Sequence, residues 1–279
     1  GGNYNVLVGD EAGQAITTGD GNVAVGFEAL TTEDGHGKNV AIGYQALKTL
    51  NAGGDGSNTA VGYQAGLSIT TGSSLTLIGA NAGDALTTGN NNVAVGDFAL
   101  SSEQQGDKNV AIGGGTLQNQ ENTSDVDAFN TAVGYRTGNA MTTGTLNTLV
   151  GAASGDAYTT GTTNCALGYL TLSADTTGQR NTAMGYSALA NQNFTGGTQA
   201  YNTAYGFFAG LNVTTGDKNT LIGGLAGDAL STGNQNVAVG YQALSAGTTY
   251  DGNTAVGHQA LLVANNTSGA DGNNVGVGA

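Results

Sequence analysis

The chain has 279 residues, 50 of them glycine, with no proline or tryptophan, 38% hydrophobic residues and a formal net charge of −14. Glycine without proline excludes a collagen-type triple helix, and the apolar content excludes simple disorder. Six basic residues against 20 acidic ones make a poor surface for nucleic acid or anionic lipid, and no apolar run reaches the ~20 residues of a membrane-spanning helix. A single cysteine, Cys165, leaves no intrachain disulfide and no cysteine zinc cluster. The chain starts Gly-Gly-Asn and stops partway through a repeat, so it reads as a processed product or a fragment of something longer.

Repetition fills the sequence. An Asn is followed four residues later by Gly, first in Asn5-Val6-Leu7-Val8-Gly9. The anchor recurs at Asn22, Asn39, Asn58, Asn92, Asn109, Asn130, Asn147, Asn164, Asn181, Asn202, Asn219, Asn236, Asn253 and Asn274, and Leu75 holds the Asn place of one further unit, giving sixteen units. Spacings are 17 residues, with every fourth unit longer: 19 the first time, then 21, for a superperiod of 72. The organisation is one repetitive domain over residues 1–279.

Counted from the Asn, position 5 is Gly in all sixteen units, which marks a backbone with positive φ or no room for a Cβ. Positions 2 and 4 are Val, Thr, Ile, Leu, Met, Tyr or Cys, and position 3 is mostly Ala. This alternation ending at Gly predicts a short strand entering a corner, with positions 2 and 4 facing inward. Position 3 then faces outward, and its freedom from charged or large polar residues, Ala in most units and Leu in others, predicts that a second chain covers it. Position 9 is Leu in eight units and Gly in seven; the Gly units carry an apolar residue at position 12, from Ile16 to Leu230. The pairing predicts that each unit sends one large side chain into a common core from either of two places.

A 17-residue unit with short β segments and Gly corners predicts an all-β fold, a parallel β-solenoid or β-roll of about 16 coils. The Asn anchors are expected to form a ladder of amides along the stack. Repeats such as Asn58-Thr-Ala-Val-Gly-Tyr-Gln-Ala-Gly66 and Asn236-Val-Ala-Val-Gly-Tyr-Gln-Ala-Leu244 resemble those of phage-type tail fibres. They are also similar to the shorter repeats of trimeric autotransporter adhesin heads. The resemblance implies a left-handed parallel β-roll, commonly three chains around one axis, used for attachment.

Catalytic signatures are absent from the sequence: no Gly-x-Ser-x-Gly elbow, His-Glu-x-x-His helix or P-loop occurs, and His36 and His258 sit at structural places. Cys165, at position 2, reads as a buried core thiol. Asp84, Asp156 and Asp228 recur only once per four units, too far apart to share a calcium ion, and Asp125 with Asp127 is an isolated acidic pair. No catalytic residue, cofactor or metal is expected. The candidate glycan or target contacts are Tyr44, Tyr63, Tyr135, Tyr169, Tyr186 and Tyr241 at position 6 and the sequon residues Asn122, Asn193, Asn265 and Asn266 of the long loops. Position-6 rings are expected to ladder on one another.

The function expected is an extracellular structural fibre segment, at a cell or virion surface, that presents loops for attachment. Expected partners are further copies of the chain, as a homotrimer or an end-to-end filament, and surface carbohydrate, with neither nucleic acid nor membrane insertion. A filament subunit with uncapped coil ends and a carbohydrate-binding module are the alternative readings.

Overall fold

The structure, a computed structural model, describes residues 2–35, 37–262 and 272–278. It divides into two compact units, Gly1–Thr143 and Gly144–Ala279. The first contains β1 (Val6–Val8), β2 (Val23–Val25), β3 (Val40–Ile42), β4 (Thr59–Val61), β5 (Thr76–Ile78), β6 (Val93–Val95), β7 (Gly106–Asp107), β8 (Val110–Ile112), β9 (Val126–Asp127) and β10 (Thr131–Val133). Eight of these stack as parallel strands in the order β1-β2-β3-β4-β5-β6-β8-β10, while β7 pairs with β9 beside them. The second contains β11 (Thr148–Val150), β12 (Cys165–Leu167), β13 (Thr182–Met184), β14 (Thr203–Tyr205), β15 (Thr220–Ile222), β16 (Val237–Val239), β17 (Thr254–Val256) and β18 (Val275–Val277), again stacked in sequence order and parallel. Pairing is residue for residue, as in Val6↔Val23, Leu7↔Ala24, Val8↔Val25. The fold is the expected all-β parallel β-solenoid, with eight coils in each unit.

Left-handed residues make the corners. Position 5 glycines have φ between +118° and +147°, and a Cβ on Gly9 would lie 2.6 Å from the carbonyl oxygen of Gly26 one coil on. Glycine is required there by both backbone and neighbour. Positions 7 and 9 and the residue before each Asn also have positive φ, including non-glycine residues such as Gln45 (55°), Leu47 (49°) and Lys38 (64°). Such residues cost about 1–3 kcal/mol each and persist because both adjacent coils hold them.

The strand faces the opposite way from the sequence expectation. Position 3 is the inward residue: Ala24, Ala41, Ala60, Ala132 and Ala204 are fully buried, whereas positions 2 and 4 look outward, with Ile42, Ile78 and Ile112 about two-fifths exposed. Position 3 is therefore covered by its own coil. Its size follows the core volume left by position 9. A Cβ on Gly66 would meet Ile69 Cδ1 at 2.7 Å and Leu77 Cδ1 at 2.8 Å; one on Gly83 would meet Leu86 Cδ1 at 2.8 Å and Leu77 Cδ2 at 2.9 Å. Where two glycine-class coils follow each other, Leu77 at position 3 fills the space between them. Leu221 does the same beside Gly210 and Gly227. Leu30, Leu47, Leu100, Leu117, Leu172, Leu189 and Leu244 are buried in the leucine class, and Ile69, Leu86, Met141, Tyr158, Val213 and Leu230 in the glycine class. The expectation of one large core side chain per coil from positions 9 and 12 holds only for the glycine class: in the leucine class position 12 is buried as well, as Leu50 beside Leu47 and as the polar Glu33, Glu103, Gln120, Asp175 and Gln192 elsewhere.

The Asn anchors do form a ladder. Asn22 N–H donates to Asn5 Oδ1 at 2.8 Å, Asn109 N–H to Asn92 Oδ1 at 2.8 Å and Asn219 N–H to Asn202 Oδ1 at 2.9 Å. In several anchors the Nδ2 group closes its own coil, as in Asn92 Nδ2 to Gly106 O at 2.8 Å and Asn147 Nδ2 to Gly161 O at 2.9 Å, and in others it donates along the ladder, as in Asn181 Nδ2 to Asn164 Oδ1 at 3.3 Å. An amide bonded at both ends, such as those of Asn92 and Asn147, thus saves a buried N–H and a buried carbonyl, two groups that would be costly unpaired, whereas the Nδ2 groups of Asn39 and Asn109 are buried without a partner.

Candidate functional site

The side chains available to a partner are those the coils turn outward. Position 4 gives Val8, Val25, Ile42, Val61, Ile78, Val95, Ile112 and Val133 in the first unit, and Val150, Leu167, Met184, Tyr205, Ile222, Val239, Val256 and Val277 in the second. Position 2 beside it is Val or Thr, with Cys165 as the single exception, so neither row carries a charge. Cys165 is half-buried on this outer face instead of lying in the core, because position 2 points outward. A stripe of eight apolar side chains per unit is on the order of 500 Å², the size at which exposed apolar patches mark association sites. Sequence reasoning missed this face because Val-Ala-Val alternates between two apolar choices.

Position 6 carries the ring row. Phe27 and Tyr44 have centroids 5.4 Å apart, Tyr44 and Tyr63 5.3 Å, Tyr169 and Tyr186 5.4 Å, Tyr186 and Phe207 5.4 Å, and Tyr241 and His258 5.6 Å. The expected laddering is present, and it turns ring faces toward one another and ring edges to solvent. In the coil of Asn92 the place is held by Asp97, and in the coil of Asn109 by Gly114, so Tyr135 has no stacked ring on the Gly114 side.

The long loops place the sequon residues differently. Asn122 is buried: its Nδ2 donates to Glu103 Oε2 at 2.8 Å and its N–H to Glu103 Oε1 at 3.0 Å. It is therefore no glycan or target contact; a buried carboxylate at position 12 of the preceding coil has recruited it to tie down the loop. Asp175 plays the same part in its coil, accepting from Gly178 N–H at 3.0 Å, Phe194 N–H at 3.1 Å and Gln192 Nε2 at 2.7 Å. Burial pushes its carboxyl above the usual range, against the opposing pull of those donors. Burial also pushes the Tyr158 phenol well above its ordinary value, with the Asp175 charge adding to the shift. Asn193 is exposed, and its Oδ1 accepts from Thr176 Oγ1 at 3.2 Å. Asn265, Asn266 and His36 lie outside the described residues.

Asp127 is paired with Lys108 Nζ at 2.7 Å, which neutralises half of the acidic pair it forms with Asp125. Asp84 and Asp228 are partly buried one per superperiod, and burial raises both carboxyls. Among the described residues no group of three or more His, Cys, Asp or Glu side chains converges as a metal site, and no helix is long and apolar enough to cross a membrane. Compared with protein families, curated proteins and solved structures, the chain matches none of them.

Proposed function

We propose that this chain is a non-enzymatic structural fibre segment of the extracellular kind, at a cell or virion surface, whose coils associate side by side with further copies and hold loops out for attachment. The observation that carries the reading is the uncharged, outward row of Val, Ile, Leu, Met and Tyr at position 4 in a chain of net charge −14. Acidic groups are kept off this row, so two copies can meet there without burying an unpaired charge. A second copy also has the same coil spacing. Its ridges and grooves stay in step with this face over the coils of a unit, which a partner of another period cannot do. Attachment then follows from many weak contacts on one stiff assembly. The surface setting rests on the likeness of the repeats to fibre and adhesin repeats.

Cys165, the only cysteine, is a probe placed on the proposed interface. A nitroxide there should show dipolar coupling to the label of a neighbouring copy, and coupling should vanish on dilution with unlabelled chain. Uncoupled spins in undiluted labelled protein would overturn lateral association in this register.

A further inference from the structure

The interruption of the ring row has a shape and chemistry of its own. Asp97, Gly114 and Tyr135 are successive rungs, because their strands pair in register, Val93↔Val110 and Val110↔Thr131. Gly114 and Gly115 together remove both the position-6 and position-7 side chains of one coil. A Cβ on Gly114 would lie 3.7 Å from Tyr135 Cδ2, 3.8 Å from Cε2 and 3.9 Å from the Asp97 carbonyl oxygen, so the tyrosine ring sits directly beside this backbone. The result is a hollow of about 440 Å³ within the Gly1–Thr143 unit, lined by Asp97, Phe98, Gly114, Gln118, Tyr135 and Arg136.

Two of its polar groups, Gln118 and Arg136, are held by a single amide. Asn139 Nδ2 donates to Gln118 Oε1 at 3.1 Å and to Gly115 O at 2.9 Å, and Asn139 Oδ1 accepts from Arg136 Nη2 at 3.4 Å. Arg136 is left-handed (φ 54°), and its N–H donates to Gly114 O at 2.9 Å. One amide therefore organises a guanidinium and a carboxamide in a hollow that Asp97, Phe98 and Tyr135 also line.

We infer that this hollow is a binding site for a neutral pyranose sugar, whose ring takes the rung left by Gly114 and stacks on Tyr135. A pyranose has an apolar C–H face for the tyrosine and a girdle of hydroxyls, each both donor and acceptor. Asp97 accepts from such hydroxyls and Arg136 donates to them, so both charges are used. A bare anion would meet Asp97 in a chain of net charge −14, and a bare cation would meet Arg136. The other position-6 glycine shows what the charged groups add. Gly224 has Tyr241 Cδ2 3.5 Å from its Cβ place, the same ring placement. Its neighbours are Phe207 and Leu225 where the first gap has Asp97 and Gly115, so no charged pair flanks it. The site does not depend on lateral association, and its failure would leave that reading standing.

The test is a titration of the isotope-labelled full chain with methyl pyranosides of glucose, galactose, mannose and N-acetylglucosamine, with adenosine as the planar competitor. At least one pyranoside should bind with Kd of ~1 mM and shift the amide signals of Gly114 and Gly115. Tyr135→Ala and Asp97→Asn should each weaken binding about tenfold. Gly114→Tyr is the decisive variant. Gly114 has no left-handed φ and only ordinary van der Waals neighbours, so a side chain fits, completes the ring row and blocks the rung. It should abolish binding without lowering thermal stability, whereas Phe27→Ala, a ring outside the hollow, should leave affinity unchanged. Binding that survives Gly114→Tyr, shifts confined to other tyrosines, silence of all four pyranosides, or adenosine binding alone would each overturn the assignment.

Discussion

Replacing Gly66 by leucine should turn a glycine-class coil into one with two claims on the same space. The new Cβ would lie 2.7 Å from Ile69 Cδ1, 2.8 Å from Leu77 Cδ1 and 2.9 Å from Leu47 Cδ2, all in fully buried residues. Overpacking costs about 1–3 kcal/mol and the left-handed backbone (φ 61°) a further 1–2 kcal/mol, so the single change should destabilise by about 2–5 kcal/mol. Ile69→Ala alone should cost about 2–5 kcal/mol, as large-to-small core changes do. Together they should cost less than the sum of the two, because removing Ile69 relieves the 2.7 Å approach of its Cδ1 and leaves room for the introduced leucine. The double variant should recover about 2–4 kcal/mol of the added losses, a coupling well above the ~0.5 kcal/mol scatter of independent sites. Urea midpoints of the four proteins at constant slope supply the cycle. Additive losses would refute the account of how positions 9 and 12 share the core.

Ala60→Glu, or the same change at Ala132 or Ala204, should abolish folded β structure by circular dichroism instead of separating intact chains, since these residues face the core and a buried unpaired carboxylate costs several kcal/mol. Asp175→Asn should flatten the pH dependence of stability in mild acid. The folded carboxyl titrates above its unfolded value, so the stability of its protonated form is full below the unfolded pKa and is lost as pH rises through the raised folded one. The wild type minus variant difference should reach at most ~1.4 kcal/mol per pH unit within that window, read from urea midpoints at a series of pH values. Asn122→Ala should cost about 1–3 kcal/mol by leaving Glu103 short of a donor, while Asn193→Ala on the exposed loop should stay within ~0.5 kcal/mol; equal effects would contradict their different placement.

Much of the coil was legible from periodicity alone. Gly at position 5 recurs without exception because glycine stacks on glycine, and the Asn ladder leaves its mark in every unit but the one that carries Leu75. The facing of the strand was not legible from Val23-Ala24-Val25, since both sides of such a strand are apolar and neither choice violates burial. The signal that settles it lies between units: Leu77 and Leu221 replace Ala at position 3 where consecutive coils have Gly at position 9. That link makes sense only if both residues share one core. Asn122 was misplaced because a sequon carries no information about burial. The clue was Glu103, an acid at a position where the glycine-class coils have an apolar residue. The hollow at Gly114 shows in the sequence only as a missed ring, and the grouping of Asp97, Gln118 and Arg136 around it needs the register of three coils.

The central claim, that the outward position-4 row is a self-association face, is tested most directly by solution mass. Light scattering of the wild-type chain should give a multiple of 27.4 kDa, and Val61→Glu with Ile78→Glu and Val95→Glu should return it to one copy with its β spectrum intact. A wild-type mass of 27.4 kDa at every concentration, or a triple variant that keeps the assembled mass, would contradict it.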